Sequence, residues 1–265
     1  MTAAATAREL IAITRAPSSR MHACERTYVD ESPIDAELAV RQHERYEDAL
    51  RACGARVIRL GGDCDLPDCV FVEDTAIVLD EVAVLMSMGA QSRRGEVPAI
   101  EAALRDFRPI ERVQVPATID GGDVVVSGRD VFVGLSRRTN QDAVDFLAGV
   151  LAPFGYRVTA VPVLRCLHLK SACSALPDGS MFVNADLIDT SPLAGRRLVP
   201  VPDGEELAGD VLVIGDRIIV SDAFPESIAR LSSLGWTVIP VSVSEFAKAE
   251  GGVTCMSLVF RGSMN

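Results

Sequence analysis

Ile119-Asp-Gly-Gly-Asp-Val-Val-Val-Ser-Gly-Arg-Asp-Val-Phe-Val-Gly134, with the continuation Leu135-Ser-Arg-Arg-Thr-Asn-Gln141 and on to Gly155-Tyr-Arg-Val-Thr-Ala-Val-Pro-Val163, writes out one complete structural unit. Two valine-rich runs, Val124–Val126 and Val131–Val133, flank the turn Ser127-Gly-Arg-Asp130 and predict a hairpin. Thr139 with Asp142 reads as a capping box for a helix whose apolar stripe is Ala143, Leu147 and Leu151. Gly155 stops that helix, and Tyr156–Val163 returns as a third strand. The unit is therefore strand, strand, helix, strand.

The unit recurs in both directions. Val211–Ile214, Gly215-Asp216 and Arg217–Val220 form another hairpin; a helix over Pro225–Leu234 ends at Gly235, and Trp236–Val243 returns. Val70–Leu79 with Val82–Met88 begins a third copy, its helix near Glu96–Phe107. Met181–Val183 belongs to a fourth, degenerate copy with a shortened helix. The fifth joins the two ends of the chain. Ile11–Thr14 is a strand, and Ser32-Pro33, with Asp35 beyond, opens a helix. Leu38, Ala49, Leu50 and Cys53 form that helix's stripe, Gly54 ends it, and Ala55–Leu60 returns. The short apolar strand after Cys255 completes the copy. Five such α/β units in 265 residues predict a closed pseudo-symmetric ring, not an extended array. No linker or low-complexity block divides the chain, so a single domain over 1–265 is expected.

Composition limits the classes of function. With 48% hydrophobic residues the chain can bury a sizeable core. A net charge of −11 leaves no basic footprint for nucleic acid or an anionic membrane. Seven cysteines (24, 53, 64, 69, 166, 173 and 255), an odd count without CxxC spacing, argue against a disulfide framework and a structural zinc site. The first ten residues carry no cationic start followed by an apolar stretch, so no signal peptide is read there. No apolar run approaches membrane-spanning length. A cytoplasmic protein is expected, with a small molecule as its partner; a homodimer is compatible with the sequence.

The residues that carry chemistry are spread across the repeats. Gly251-Gly-Val-Thr-Cys255 places a cysteine where a loop becomes a strand, held yet reachable unless it is an inert core thiol. In Asp68-Cys-Val-Phe-Val-Glu73-Asp74, two adjacent carboxylates interrupt an apolar run; they need a cationic partner unless a bend or bulge exposes them. Ser92-Arg93-Arg94-Gly95-Glu96 and Ser136-Arg137-Arg138-Thr139 put arginines at helix entrances, against the dipole. Such forks are either aimed at a carboxylate or solvated surface. Asp120 precedes glycines that permit close backbone approach, or an ordinary turn. Leu167-His168-Leu-Lys-Ser-Ala-Cys173 reads as alternating strand, His168 sharing a face with Cys166 and Lys170. His22, in a loop, and His43, at a helix surface position, read as structural. Together these residues supply a thiol nucleophile, a candidate base, several carboxylates and two arginine forks. That set suits a cationic group attacked by sulfur, with a carboxylate at the ligand's far end.

At these positions the sequence resembles the dimethylarginine dimethylaminohydrolases of the guanidino-modifying (pentein) superfamily. The resemblance runs from Arg41-Gln42-His43 onward and is densest at Leu66–Asp74, Ser92–Arg94, Ile119–Val124, Phe132–Gln141, Leu167–Ser171 and Thr254-Cys255. It implies a pentein α/β-propeller, five pseudo-symmetric ββαβ units around a central site. It also implies a cofactor-free, metal-free hydrolase. By position, Cys255 resembles the nucleophile, His168 the acid/base and Asp120 the residue orienting it. Asp74 resembles the carboxylate gripping the guanidinium, Asp68 an acidic substrate contact and Glu73 a supporting carboxylate. Arg94 and Arg138 resemble the clamp on the α-carboxylate. Ala249, in the segment before the nucleophile, would touch the methyl groups or the amino-acid end. Where relatives of the mammalian enzyme carry a leucine-bearing lid, Arg15–His22 holds no leucine. That leaves open which guanidino compound is the substrate: dimethylarginine, plain arginine or another N-substituted arginine.

Overall fold

The computed structural model describes residues 8–63 and 65–262; Cys64 and most of the amino-terminal stretch read for a signal lie outside them. The chain begins with β1 (Glu9–Arg15), α1 (Ala36–Ala52) and β2 (Arg56–Leu60). It continues through β3 (Ala76–Val78), β4 (Ala83–Leu85), α2 (Val97–Leu104) and β5 (Ile110–Arg112). The unit quoted first follows as β6 (Val124–Ser127), β7 (Asp130–Leu135), α3 (Gln141–Leu151) and β8 (Arg157–Pro162). Then come α4 (Leu169–Ala172), β9 (Cys173–Ala175), β10 (Met181–Val183) and β11 (Leu198–Pro200). The last elements are β12 (Leu212–Ile214), β13 (Arg217–Ser221), α5 (Pro225–Ser233), β14 (Thr237–Val241), α6 (Ser244–Ala247) and β15 (Leu258–Gly262).

Among the described residues these strands make five three-stranded sheets. In each, the middle strand pairs antiparallel with the inner strand and parallel with the outer one. The parallel step needs a crossover, which a helix supplies. In the fourth sheet a 3-10 turn, Ser191–Leu193, replaces it. The β1–β15 pairing, Ile11 opposite Phe260, joins the two ends of the chain in one sheet. A central cavity is lined from all five inner strands, among them Ile77, Val125, Ala175, Val213 and Val259. The molecule is thus the five-unit α/β propeller that the repeats predict.

Local chemistry shifts several boundaries. Asp35, not Ser32, caps α1: its carboxylate accepts the Leu38 N–H at 2.9 Å. Asn140, not Thr139, caps α3, because the Thr139 hydroxyl is spent on Asp123 at 2.7 Å. Glu73 and Asp74 lie on a 3-10 turn, Val72–Thr75, and not in a strand, so both carboxylates turn inward where a pleat would split them. His168 occupies the N-cap position of the one-turn α4 without a side-chain cap, so it and Lys170 part company where an alternating strand would align them.

His43 departs furthest from its sequence reading: it is fully buried, between Tyr46 and Phe246, with neither ring nitrogen hydrogen-bonded. The helix periodicity was right, but α6 covers that face. Burial, resisted by the Glu47 charge and aided by Arg59, lowers its pKa to about 4. The folded pKa lies below the unfolded one, so the unfolded chain binds the extra proton. The stability this neutral ring permits is therefore full above pH 6.5 and is lost as pH falls through about 4. Its size is on the order of 3 kcal/mol. Urea melts at pH 7 and pH 4.5 should show that loss, and His43→Leu should shrink the difference between them; an unchanged difference would contradict it.

Candidate active site

A small cavity opens at one end of the ring, reached by Asp68, Asp74, Arg138, His168, Ala249 and Cys255. Four separate segments deliver them. The half-buried Cys255 lies in the turn before β15, and its Sγ accepts the Gly252 N–H at 3.3 Å. Its carbonyl accepts the Glu73 N–H at 3.0 Å, which ties the nucleophile's turn to the acidic one.

His168 is buried between two carboxylates. Its Nε2 lies 3.2 Å from Asp120 Oδ2, and its Nδ1 lies 3.7 Å from Asp74 Oδ1. Burial alone would lower its pKa; the Asp74 charge, the Asp120 hydrogen bond and the Asp123 charge override that and push it up to about 9. The ring is a proton donor at neutral pH. Gly122 makes this packing feasible, since a Cβ there would stand 2.6 Å from His168 Nδ1 and 2.8 Å from Asp74 Oδ1. Its N–H also donates to Asp74 at 3.0 Å.

Arg93 anchors the acidic wall. Its guanidinium, 4% exposed, gives Nη1 to Asp74 Oδ2 at 2.6 Å and Nε and Nη2 to Glu96 at 3.0 and 2.9 Å. Nη2 also donates to the Phe71 carbonyl at 3.1 Å. A buried cation needs such pairing. Burial would raise the Asp74 pKa, but the His168 and Arg93 charges hold it below the ordinary carboxylate value. Asp68, by contrast, is pushed up by burial, while both its oxygens accept the Glu25 N–H at 3.2 Å. Arg138 Nη1 is 3.5 Å from Asp120 Oδ2, and Asp120 Oδ1 accepts the Gly89 N–H at 2.8 Å.

Two of the expected residues brace the cavity from outside it. Asp120 stands behind His168, and Glu73 lies beneath, facing the central cavity. Glu73 is held by Lys170 Nζ at 2.5 Å and the Thr254 hydroxyl at 2.7 Å. Arg94 does not line the cavity. It is exposed, with Nε on the Met88 carbonyl at 3.1 Å, one residue from Gly89, which packs against the Arg138 backbone. Its neighbour Arg93 is the arginine that turns in. Both were visible in Ser92-Arg-Arg-Gly-Glu96, but only the 3-10 geometry of Gln91–Glu96, pairing Arg93 with Glu96, decides between them.

Sequence reasoning missed Asp210, Glu25 and Glu250. The Glu250 carboxylate accepts the N–H groups of Thr27 at 2.7 Å and Val29 at 3.1 Å, and that of Tyr28 between them; it thereby straps residues 27–29. Asp74, Asp120 and His168 offer atoms within 4.8 Å of one another, a spacing that could hold a cation. Arg93, Arg138 and the protonated imidazole already supply positive charge there.

Known proteins resemble this chain in sequence and fold. A family model described as N,N dimethylarginine dimethylhydrolase, eukaryotic, matches residues 13–199. The N(G),N(G)-dimethylarginine dimethylaminohydrolase of Streptomyces coelicolor is 39% identical over 251 residues, 94% of this chain and 96% of that one. The protein of the same name from Pseudomonas aeruginosa is 31% identical over 84% of this chain and 88% of its own. A crystal structure of the Pseudomonas protein, as a cysteine-to-serine mutant complexed with citrulline, superimposes with a TM-score of 0.91 at 29% identity; it covers 96% of this chain and 100% of that one. The amino-terminal domain of ArgZ, a cyanobacterial arginine dihydrolase, shares the fold, with a TM-score of 0.82 at 19% identity over 95% and 98% of the two chains.

Proposed function

The chain belongs to the dimethylarginine dimethylaminohydrolase family, and on that premise we propose that it hydrolyses Nω,Nω-dimethyl-L-arginine to L-citrulline and dimethylamine through a covalent adduct on Cys255. The observation that carries this reading is the meeting of one thiol, one protonated imidazole and the Asp74 carboxylate on a single small cavity.

Asp74, kept ionised by His168 and Arg93, holds the guanidinium and so keeps its carbon electrophilic. Arg138 in the wall meets the α-carboxylate; Asp68 takes the cationic amino end, and Ala249 packs beside the substituent. The sulfur of Cys255 adds to the carbon. His168 gives its proton to the departing dimethylamine, and a thiouronium remains. The neutral imidazole then takes a proton from water, the hydroxide adds, and collapse expels the sulfur with citrulline. Asp120 holds the ring throughout.

Incubating the purified protein with dimethylarginine, monomethylarginine and arginine, and identifying both citrulline and the amine released, tests this directly. Dimethylamine as the fastest-formed amine supports the reading. Ammonia from arginine at a higher kcat/KM would make the chain a deiminase, and no citrulline from any of them would sink the reading.

A further inference from the structure

Accepting that hydrolytic reading, the geometry points to Asp210 as the base that takes the Cys255 thiol proton, a catalytic residue in direct contact with the reacting sulfur. The imidazole cannot serve. Both His168 nitrogens face carboxylates, Asp120 at 3.2 Å and Asp74 at 3.7 Å, so both carry protons and neither has a free lone pair. Asp210 Oδ2 lies 3.8 Å from Cys255 Sγ, within reach of an S–H donor.

The surroundings fix that carboxyl in place. Its Oδ1 accepts the Thr254 N–H at 2.9 Å and its Oδ2 lies 3.4 Å from the Thr254 hydroxyl oxygen, so it grips the residue before the nucleophile. A Cβ on Gly252 would sit 2.2 Å from Asp210 Oδ2; only glycine lets the loop lie flat on the carboxyl. The fold's internal repetition supports the assignment independently. Asp210 stands two residues before inner strand β12, just as Asp74 stands two before inner strand β3. The ring thus aims equivalent carboxyls at the centre from two sheets, one at the substrate's charge and one at the sulfur.

The ionisable groups facing Asp210 are Glu73, Lys170, Cys255 and the Tyr46 hydroxyl. Burial and then the Glu73 charge raise its pKa to about 7, and Lys170 opposes them. A carboxylate titrating there accepts a proton far more readily than an ordinary one. The step balances without a co-reactant. The S–H bond breaks as an O–H bond forms on Asp210. The sulfur pair makes the S–C bond while the C=N pair moves to nitrogen. When the sulfur later leaves, Asp210 returns the proton.

Asp210→Asn keeps shape but cannot take a proton. In the free variant, loss of the neighbouring charge should move the rise of Cys255 alkylation by iodoacetamide to lower pH. Its kcat/KM for dimethylarginine should nevertheless fall by about 10²-fold or more. A free thiol made more reactive while turnover slows is a pattern that mere loss of support would not give. A kcat/KM within threefold of wild type, or an alkylation curve that does not move, would overturn the role. Should the variant fail to fold, infrared difference spectra of the wild type turning over dimethylarginine serve instead. Loss of the S–H stretch with gain of a protonated-carboxyl stretch supports the transfer, and loss without that gain rejects it. A wild type that yields no citrulline would instead defeat the hydrolase reading, whereas an active wild type beside an equally active Asp210→Asn defeats only the role of Asp210.

Discussion

Cys255→Ser should lower citrulline formation from dimethylarginine by at least about 10⁴-fold, with substrate affinity changed by no more than a few-fold. A hydroxyl in the same place is a far weaker nucleophile and holds its proton more tightly. The Cys255 thiol is itself pushed well above its ordinary pKa, by burial first and then by the Asp210, Glu73 and Asp74 charges. In the empty site it is therefore neutral, and reactivity depends on the substrate's positive charge arriving among those carboxylates. A neutral thiol adds little to ground-state binding, so calorimetric titration of the serine variant should give nearly the wild-type Kd. Mass spectrometry of wild type quenched during turnover should show an adduct on Cys255, and the serine variant should show none. Residual activity above about 1% of wild type would contradict a covalent route through this sulfur.

How much of this could be read beforehand follows from range. Repetition is a local property, so the hairpin at Ser127–Asp130 and the glycine stops at Gly54, Gly155 and Gly235, all at positive φ, were legible in the chain. Caps were less so. Thr139 is as good a capping residue as Asn140 until the buried Asp123 claims its hydroxyl, a choice made by tertiary contact. The same holds for His43, whose helix was predicted but whose burial depends on α6, some two hundred residues later. At the site, residues with scarce chemistry, Cys255 and His168, could be singled out. Direction could not: Arg93 and Arg94 are chemically identical, and only the turn between β4 and α2 decides which one meets Asp74. Asp210 carried a weak signal, its spacing to β12, which becomes informative only once the inner strands are superimposed around the ring.

Asp74→Asn should cost kcat/KM for dimethylarginine about 10³-fold and also change the shape of its pH profile. Three losses coincide in the one carboxylate. The guanidinium loses its anionic partner. Arg93 keeps Glu96 but loses its 2.6 Å contact, so an undercompensated buried cation now faces a cationic substrate. His168 loses the largest attraction sustaining its proton against burial. In the wild type, protonation of the departing amine requires imidazolium and thiol deprotonation requires ionised Asp210, so rate should hold between about pH 7 and pH 9 and fall as pH rises through about 9. In the variant that fall should move to lower pH. Stability should follow the same sign: a raised folded pKa contributes fully below 6.5 and fades as pH passes about 9, and the variant should lose most of that contribution. The profile separates this role from general damage to the fold, which would lower the rate at every pH and leave the limb in place. A variant whose alkaline limb stays at the wild-type position would mean that Asp74 does not govern the proton on His168.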